Sequence, residues 1–272
     1  FSYTYDNSVF INNTAHIDDQ LKAATDDTSI MAIRCNVNID ANSEQDIVFM
    51  LGEGYGELIS KYKSMENVLS SFNDAKAYWN DLCTTVKVNT PSESMDIMLN
   101  SRLIYQAVAS RLFARTAFYQ SGGAFGYRDQ LQDVTSLFYS APHLARKQII
   151  LHSSHQFKEG DVLHWWHSAK NGARGVRTNF SDDKVWLPYV CGDYINVTGD
   201  WSILNEETHF LEGEKLKEGE HERYSFFGYS NEKATVYEHC VRAIEITLKF
   251  GPHKLPLIGR GDWNDGMSTI GI

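Results

Sequence analysis

The chain has 272 residues, of which 42% are hydrophobic and 22% charged, and its formal net charge is -10 at pH 7. This composition excludes extended disorder and is typical of a globular protein with one large core or two smaller ones. The acidic balance argues against a nucleic-acid partner, because a nucleic-acid-binding domain needs a basic patch that attracts phosphates. Neutral substrates suit this charge better.

The four cysteines are scattered without the CxxC spacing of a zinc site. We therefore expect no metal, and we expect free buried thiols in a reducing compartment, which makes the cytoplasm the predicted location. No run of about 18 apolar residues occurs, so no membrane span is predicted.

Residues 1–55 show the alternation of apolar and polar side chains that is typical of strands, most clearly in segments 30–39 and 46–52. The polar run 40–45 between these segments has the composition of a turn. The pattern predicts two or three antiparallel strands at the edge of a β-sandwich. In 56–90 the apolar residues recur every three or four positions, which predicts a helical linker.

Residues 91–272 are predicted to form helices joined by long loops that are rich in Gly, Trp, His and Arg. Loops of that length in a compact domain usually carry function. Apolar strands between the helices are not evident, so the pattern favours an all-helical toroid with its loops at one end over a βαβ fold. The predicted helices cover 93–117, 127–140, 142–157, 182–198 and 233–250.

A glycine-rich segment, 122–126, precedes polar residues that fall on the first turns of a predicted helix (Arg128, Asp129, Gln132 and Asp133). Arginine and aspartate in such a place can form forked hydrogen bonds to sugar hydroxyls, which distinguish one epimer from another. The alternative is a helix start whose carboxylates complement the helix dipole, with Arg128 in an internal ion pair.

Paired tryptophans lie beside paired histidines in the run His164-Trp165-Trp166-His167. Ring faces and polar edges alternate here as they do in the wall of a carbohydrate subsite. His164 and His167 are weak candidates for metal ligands, because no third ligand follows at helical spacing.

The segment Asp262-Trp263-Asn264-Asp265 places two carboxylates around an indole, between glycines. An indole face packs against a pyranose ring, and a carboxylic acid whose pKa is raised by an apolar neighbour can protonate a leaving oxygen. A polar turn that caps the next helix is the alternative for this segment on its own.

The run Glu238-His239-Cys240 suggests a Cys/His nucleophile, but adjacent residues on one helix point about 100° apart and cannot form a hydrogen-bonded dyad. Helix packing is the preferred interpretation. Glu238 is kept as a carboxylate that reaches a cleft beside the Asp265 segment.

In this order, the motifs resemble those of the glycoside hydrolase family 94 phosphorylases. The branch in question contains 1,2-β-oligoglucan phosphorylase and the phosphorylase-like domain of cyclic β-1,2-glucan synthase. The resemblance implies a mainly α fold: the end of a β-sandwich at 1–55, a helical linker at 56–90, and part of an (α/α)6 barrel at 91–272. The motifs that carry it are YQSGGAFGYRDQLQD at 119–133, GDVLHWWH at 160–167, GVRT, SDD and WLPY within 175–189, and GDWNDGM at 261–267.

The resemblance also implies an inverting phosphorolysis of β-linked, by motif style β-1,2-linked, glucooligosaccharides that yields glucose 1-phosphate. Asp265 is then the general acid, and inorganic phosphate is the nucleophile and co-substrate, with no cofactor. Arg128, Asp133 and Trp263 are then the sugar contacts of the −1 subsite. A homodimer is also expected. The remaining predicted substrate contacts are His164, Trp165, Trp166, Arg177 and Asp183.

One departure from the family is expected. Its phosphate-binding elements follow the Asp265 segment, and twelve barrel helices of about 12 residues need well over about 200 residues with their loops. The sequence therefore predicts roughly the first half of a barrel, inactive unless another chain completes it. Two alternatives stay open: an inverting hydrolase, in which Asp183 or Glu238 activates water, and a non-catalytic glucan-binding domain of a larger synthase.

Overall fold

The computed structural model describes residues 2–4, 32–51, 56–115, 122–257 and 261. The chain divides into two units, Phe1–Asn67 and Val68–Ile272. The first unit holds a two-stranded antiparallel pair, β1 (Ser2–Thr4) with β2 (Ala32–Arg34), and helix α1 (Gly56–Lys61).

The strand predicted within 30–39 is confirmed at β2, but the strand predicted over 46–52 is wrong for the residues that the structure describes. Residues 46–51 have no regular structure, and their apolar side chains are exposed. Alternation alone does not make a strand, because the backbone also needs a neighbouring strand to take up its N–H and C=O groups. The β-sandwich remains a prediction.

The helices of the second unit occur in the predicted order, although most are shorter than predicted. They are α2 (Met65–Thr84, beginning at the end of the first unit), α3 (residues 93–113), α4 (Tyr127–Thr135), α5 (Pro142–Ser153), α6 (Ser181–Thr198) and α7 (Val236–Thr247). The hydroxyl of Ser92 caps α3 by accepting from the N–H of Met95, and the hydroxyl of Thr235 caps α7 by accepting from the N–H of Glu238. Gly199, at φ +71°, ends α6.

Helix α3 is continuous but not uniform. It contains π-helical turns at Met98–Arg102 and Ala107–Phe113, which alternate with the α-helical segments Glu93–Ile97 and Leu103–Gln106. A 3-10 turn, Trp201–Asn205, follows α6.

A five-stranded antiparallel sheet corrects the expectation of helices and loops after residue 91. The strands are β3 (Phe125–Gly126), β4 (Leu163–Ala169), β5 (Gly172–Thr178), β6 (Glu207–Glu212) and β7 (Glu222–Thr235). They lie in the order β3-β4-β5-β7-β6. Residues 170 and 171 form the two-residue turn between β4 and β5, and Asn171 has φ +61°, a left-handed conformation that asparagine adopts more readily than most residues.

One hydrophobic cluster joins the inner face of this sheet to the helices. Trp166 of β4 and Phe227 of β7 belong to the same core as Leu131 of α4, Ile149 of α5 and Leu187 of α6. The second unit is thus helical with an antiparallel sheet, and the (α/α)6 barrel remains a prediction. In the part of the chain that the structure describes, no helix has the length and apolarity needed to cross a membrane.

Candidate active site

The junction between β3 and α4 positions the polar residues of the glycine-rich motif. Gly126 is the N-cap of α4, and its N–H donates to the side-chain oxygen of Gln130. A Cβ atom at position 126 would lie 2.2 Å from Oδ2 of Asp129. Glycine is therefore needed here so that the carboxylate of Asp129 can fold back over the start of the helix.

Arg128 projects from the same helical turn toward α6. Its Nη1 atom donates to Oδ2 of Asp182 at 3.2 Å and lies 3.9 Å from Oδ1 of Asp183. Burial and then the charge of Asp183 raise the pKa of Asp182 above its ordinary value, and Arg128 acts in the opposite direction. The internal ion pair considered for Arg128 is thus present in the structure.

Asp183 connects this cluster to β4. Its side chain is 1% exposed, and Oδ2 accepts from Nδ1 of His164 at 2.9 Å. A β-bulge between Leu163 and Trp165 adds His164 to the strand, which turns its imidazole toward α6. The other oxygen of Asp183, Oδ1, is buried without a hydrogen-bond partner.

The backbone just before the Asp262 segment lies against the first turn of α6. The carbonyl oxygen of Gly261 accepts from the N–H of Ser181 at 3.0 Å and from its hydroxyl at 3.2 Å. A Cβ atom at position 261 would lie 2.9 Å from the ring of Phe180, so only glycine fits this approach. Trp263 and Asp265 lie outside the described residues.

A pocket of about 260 Å³ opens beside this cluster, between the end of α3, the start of α4 and β4. Trp165 contributes an indole and Asp129 a carboxylate. Arg111 and Arg115 carry no sequence signal for a site, because nothing in the sequence shows that α3 and β4 meet. The lining residues are Arg111, Arg115, Gly122, Ala124, Gly126, Asp129, Gln130, Trp165 and His167.

Asp133 reaches the pocket through Arg111. Its Oδ2 accepts from Nε of Arg111 at 2.7 Å, which holds this arginine at the pocket wall. Burial raises the pKa of Asp133, although Arg111 lowers it. The contacts of Asp133 and Arg128 thus differ, since the first pairs with α3 and the second with α6.

Two of the predicted sugar contacts are corrected by their burial. Trp166 is 0% exposed and stacks on His155, with ring centroids 4.2 Å apart, so neither ring face can meet a sugar. All five N–H groups of Arg177 donate hydrogen bonds inside the protein, to the carboxylates of Asp161 and Glu159 and to two backbone carbonyls. Both residues build the scaffold of the site.

The segment at the start of α7 is structural, as its helical spacing indicates. His239 is buried between Thr208 and Gln156, with both ring nitrogens hydrogen-bonded. Glu238 pairs with Arg242 at 3.0 Å, one turn further along the helix. Among the described residues, no group of three or more His, Cys, Asp or Glu side chains could hold a metal ion.

An indole, a carboxylate and two arginines around a pocket are side chains typical of carbohydrate-binding sites. Residues 78–271 match the family described as the glycosyl hydrolase 94 superfamily, catalytic domain. The chain therefore belongs to the glycosyl hydrolase 94 superfamily.

Individual relatives agree with this family. The chain is 39% identical to cyclic beta-(1,2)-glucan synthase NdvB of Rhizobium meliloti over 251 residues, which cover 90% of this chain and 9% of that protein. It is 26% identical to N,N'-diacetylchitobiose phosphorylase of Vibrio furnissii, over 83% of this chain and 29% of the relative. It is 30% identical to 1,2-beta-oligoglucan phosphorylase of Listeria innocua, over 53% of this chain and 13% of the relative. The chain spans less than a third of each of these relatives.

Proposed function

We propose that the protein performs an inverting phosphorolysis of β-linked glucooligosaccharides, in particular β-1,2-linked ones, and releases glucose 1-phosphate. Asp265 donates its proton to the glycosidic oxygen as the bond from that oxygen to the anomeric carbon breaks. An oxygen of inorganic phosphate forms the new bond to the anomeric carbon from the opposite face. Phosphate takes the place of the water and general base of an inverting hydrolase, so one catalytic carboxylate suffices.

The observation that carries this proposal is the docking of Gly261 on Ser181. Asp265 follows Gly261 by four residues, and four residues of extended chain span at most about 14 Å. Gly261, the residue before the family's acidic segment, lies at the turn of α6 that carries Asp182 and Asp183, beside Arg128. This short separation along the chain supports a general acid that acts next to these polar groups.

We propose that Arg128, Asp133 and Trp263 serve the −1 sugar, with His164 and Trp165 around them and Asp183 holding His164 from the buried side. The pocket supports adding Asp129, whose carboxylate can accept from sugar hydroxyls opposite the indole of Trp165. Trp166 and Arg177 support this arrangement from the core.

The names of two relatives support the β-1,2 linkage, since one is a cyclic beta-(1,2)-glucan synthase and the other a 1,2-beta-oligoglucan phosphorylase. Inorganic phosphate is proposed as the only co-substrate, with no cofactor. A homodimer and a cytoplasmic location remain predictions.

An inverting hydrolase needs a second catalytic carboxylate, and the contacts of the two candidates, Glu238 and Asp183, argue against this reaction. Activation of water needs a carboxylate that faces the substrate, whereas Glu238 is held by Arg242, and Asp183 is buried against His164. Neither residue has the setting of a general base.

The test is an assay of the full-length protein with β-1,2-linked glucooligosaccharides, with and without inorganic phosphate. We expect glucose 1-phosphate only with phosphate, and a loss of about 100-fold to 10,000-fold in kcat for Asp265→Asn. Free glucose formed without phosphate would assign a hydrolase. Full function of the Asp265→Asn protein would assign a non-catalytic glucan-binding domain.

A further inference from the structure

The face of the sheet opposite the core carries two rows of large side chains. The antiparallel register aligns Trp165 of β4, Val176 of β5 and Tyr224 of β7 in one row. Because side chains two residues apart on a strand share a face, the next row is on the same side. That row contains His167, Arg174 and Phe226.

Ring contacts confirm that these side chains form one surface. The indole of Trp165 lies 5.6 Å from the ring of Tyr224, across the width of β5, and 6.0 Å from the ring of His167. A Cβ atom at Gly172 would lie 3.0 Å from the ring of Phe226, so this ring lies over Gly172 of β5. We call these two rows the outer sheet face.

Four of the six side chains of the outer sheet face are exposed, Trp165 is partly exposed and Val176 is buried, although the aromatic content of this face resembles that of a core. Tyr224 is 54% exposed and Phe226 46%, and the side chains of His167 and Arg174 are exposed as well. The opposite face carries Trp166 and Phe227 and is packed against the helices. Aromatic side chains exposed together on one face of a folded sheet indicate a binding surface.

This surface continues directly from the pocket. Trp165 and His167 line the pocket and also begin the two rows of the outer sheet face. A molecule that leaves the pocket along these two residues therefore meets Arg174 in the middle of the sheet and then Tyr224 and Phe226.

The chemistry of the six positions suits a neutral, hydroxyl-rich polymer. Aromatic rings pack against the C–H faces of pyranose rings, while the guanidinium of Arg174 donates to hydroxyls. None of the six carries a carboxylate, and an entirely apolar partner would leave the charge of Arg174 without compensation. A saccharide satisfies both kinds of group.

We propose that the outer sheet face is a second glucan-binding surface, which holds the part of a β-linked glucooligosaccharide that extends beyond the pocket. The inference rests on the proposed function for the identity of the ligand, but it concerns binding and not turnover. With this surface, the affinity of the protein depends on the length of the glucan chain.

The test is calorimetric binding of β-1,2-linked glucooligosaccharides, from the disaccharide to the octasaccharide, to the full-length protein without phosphate. For the wild type we expect affinity to rise with length beyond the sugars that fill the pocket. The Tyr224→Ala/Phe226→Ala protein should lose that rise, with about tenfold weaker octasaccharide binding and unchanged disaccharide binding.

Two further variants keep the result interpretable. Arg174→Gln changes an exposed side chain and should weaken only the longer sugars, by several-fold. Tyr139→Ala removes a tyrosine that is 73% exposed in the turn after α4, and it should bind every length as the wild type does.

Length dependence that survives in the double variant would overturn the inference, as would equal losses for short and long sugars or no binding by the wild type. A changed oligomeric state with unchanged sugar binding would assign the face to a protein contact instead.

Turnover separates the two proposals. Length-dependent binding without formation of glucose 1-phosphate would remove the phosphorolysis alone, and phosphorolysis with wild-type length dependence in the double variant would remove the surface alone.

Discussion

Nδ1 of His164 donates to Oδ2 of Asp183 at 2.9 Å, and this bond joins the bulge of β4 to the first turn of α6. A carboxylate that accepts from Nδ1 fixes the tautomer of the neutral imidazole and orients its ring. The same carboxylate lies 3.9 Å from Arg128. Asp183 therefore holds two candidate substrate contacts in place from below.

Asp183→Asn is expected to lower the free energy of unfolding by about 1–3 kcal/mol, because an amide cannot both accept from His164 and face the charge of Arg128. The matched control is Asp193→Asn on the same helix, where we expect a change within about 0.5 kcal/mol. Urea denaturation monitored by circular dichroism measures both. Equal losses in the two variants would contradict the role assigned to Asp183.

Arg177→Met is expected to cost about 3–5 kcal/mol of unfolding free energy, because it leaves the carboxylate of Asp161 buried without its partner. Arg177→Lys should recover only part of this loss, since an ammonium cannot reproduce the fork that binds both oxygens of Asp161. Arg174→Met, at an exposed position of the same strand, should change stability by less than about 0.5 kcal/mol. Chemical denaturation of the three proteins checks the order.

Two glycines of the second unit should respond in opposite directions to alanine. At Gly175 a Cβ atom would lie 2.3 Å from the carbonyl oxygen of Trp165, so Gly175→Ala must separate β4 from β5. At Gly192, on α6, a Cβ atom would meet nothing within 4 Å, and alanine should stabilise the helix by about 0.5–1 kcal/mol. Thermal unfolding should therefore show a lower Tm for the first variant and a higher Tm for the second.

Stability should fall as the pH drops below about 6.5. Burial lowers the pKa of His155 to about 3, so the native state keeps this imidazole neutral while the unfolded chain takes up a proton. The stability that His155 contributes as a buried neutral ring is fully present above the pKa of the unfolded state. It is lost as the pH falls toward the pKa of the folded state, by about 1.4 kcal/mol per pH unit.

The variant His155→Phe keeps a ring on Trp166 and removes the titration. Denaturation at several pH values between 4.5 and 6 should give a pH slope lower by about 1.4 kcal/mol per unit. His152 and His239, whose pKa values burial lowers to about 4, maintain the rest of the slope. An unaltered slope in His155→Phe would mean that His155 does not titrate on unfolding.

The helices were the predictable part of this fold, because an apolar stripe repeats every three or four residues whatever the helix packs against. The sheet was missed because β5 reads Gly172–Thr178 with glycines and arginines, and its burial comes from neighbouring strands rather than from its own apolarity. Arg177 illustrates the same limit at the level of one residue. A buried arginine and a ligand-binding arginine look alike until their partners are known.

The pocket was only partly predictable, for a related reason. Asp129 and Trp165 lie in segments whose composition already indicated sugar binding. Arg111 lies on α3 and Arg115 follows the end of that helix, in sequence that gives no such signal, and the fold alone brings both to the pocket wall.

Trp165 and Trp166 are consecutive on β4, yet one indole lines the pocket and the other fills the core beneath it. A change that repacks the interior around Trp166 must therefore shift the backbone that aims its neighbour. Substitutions around Trp166 therefore change both the stability of the protein and its ligand preference during evolution. Stabilising designs of the interior should be screened for altered sugar selectivity.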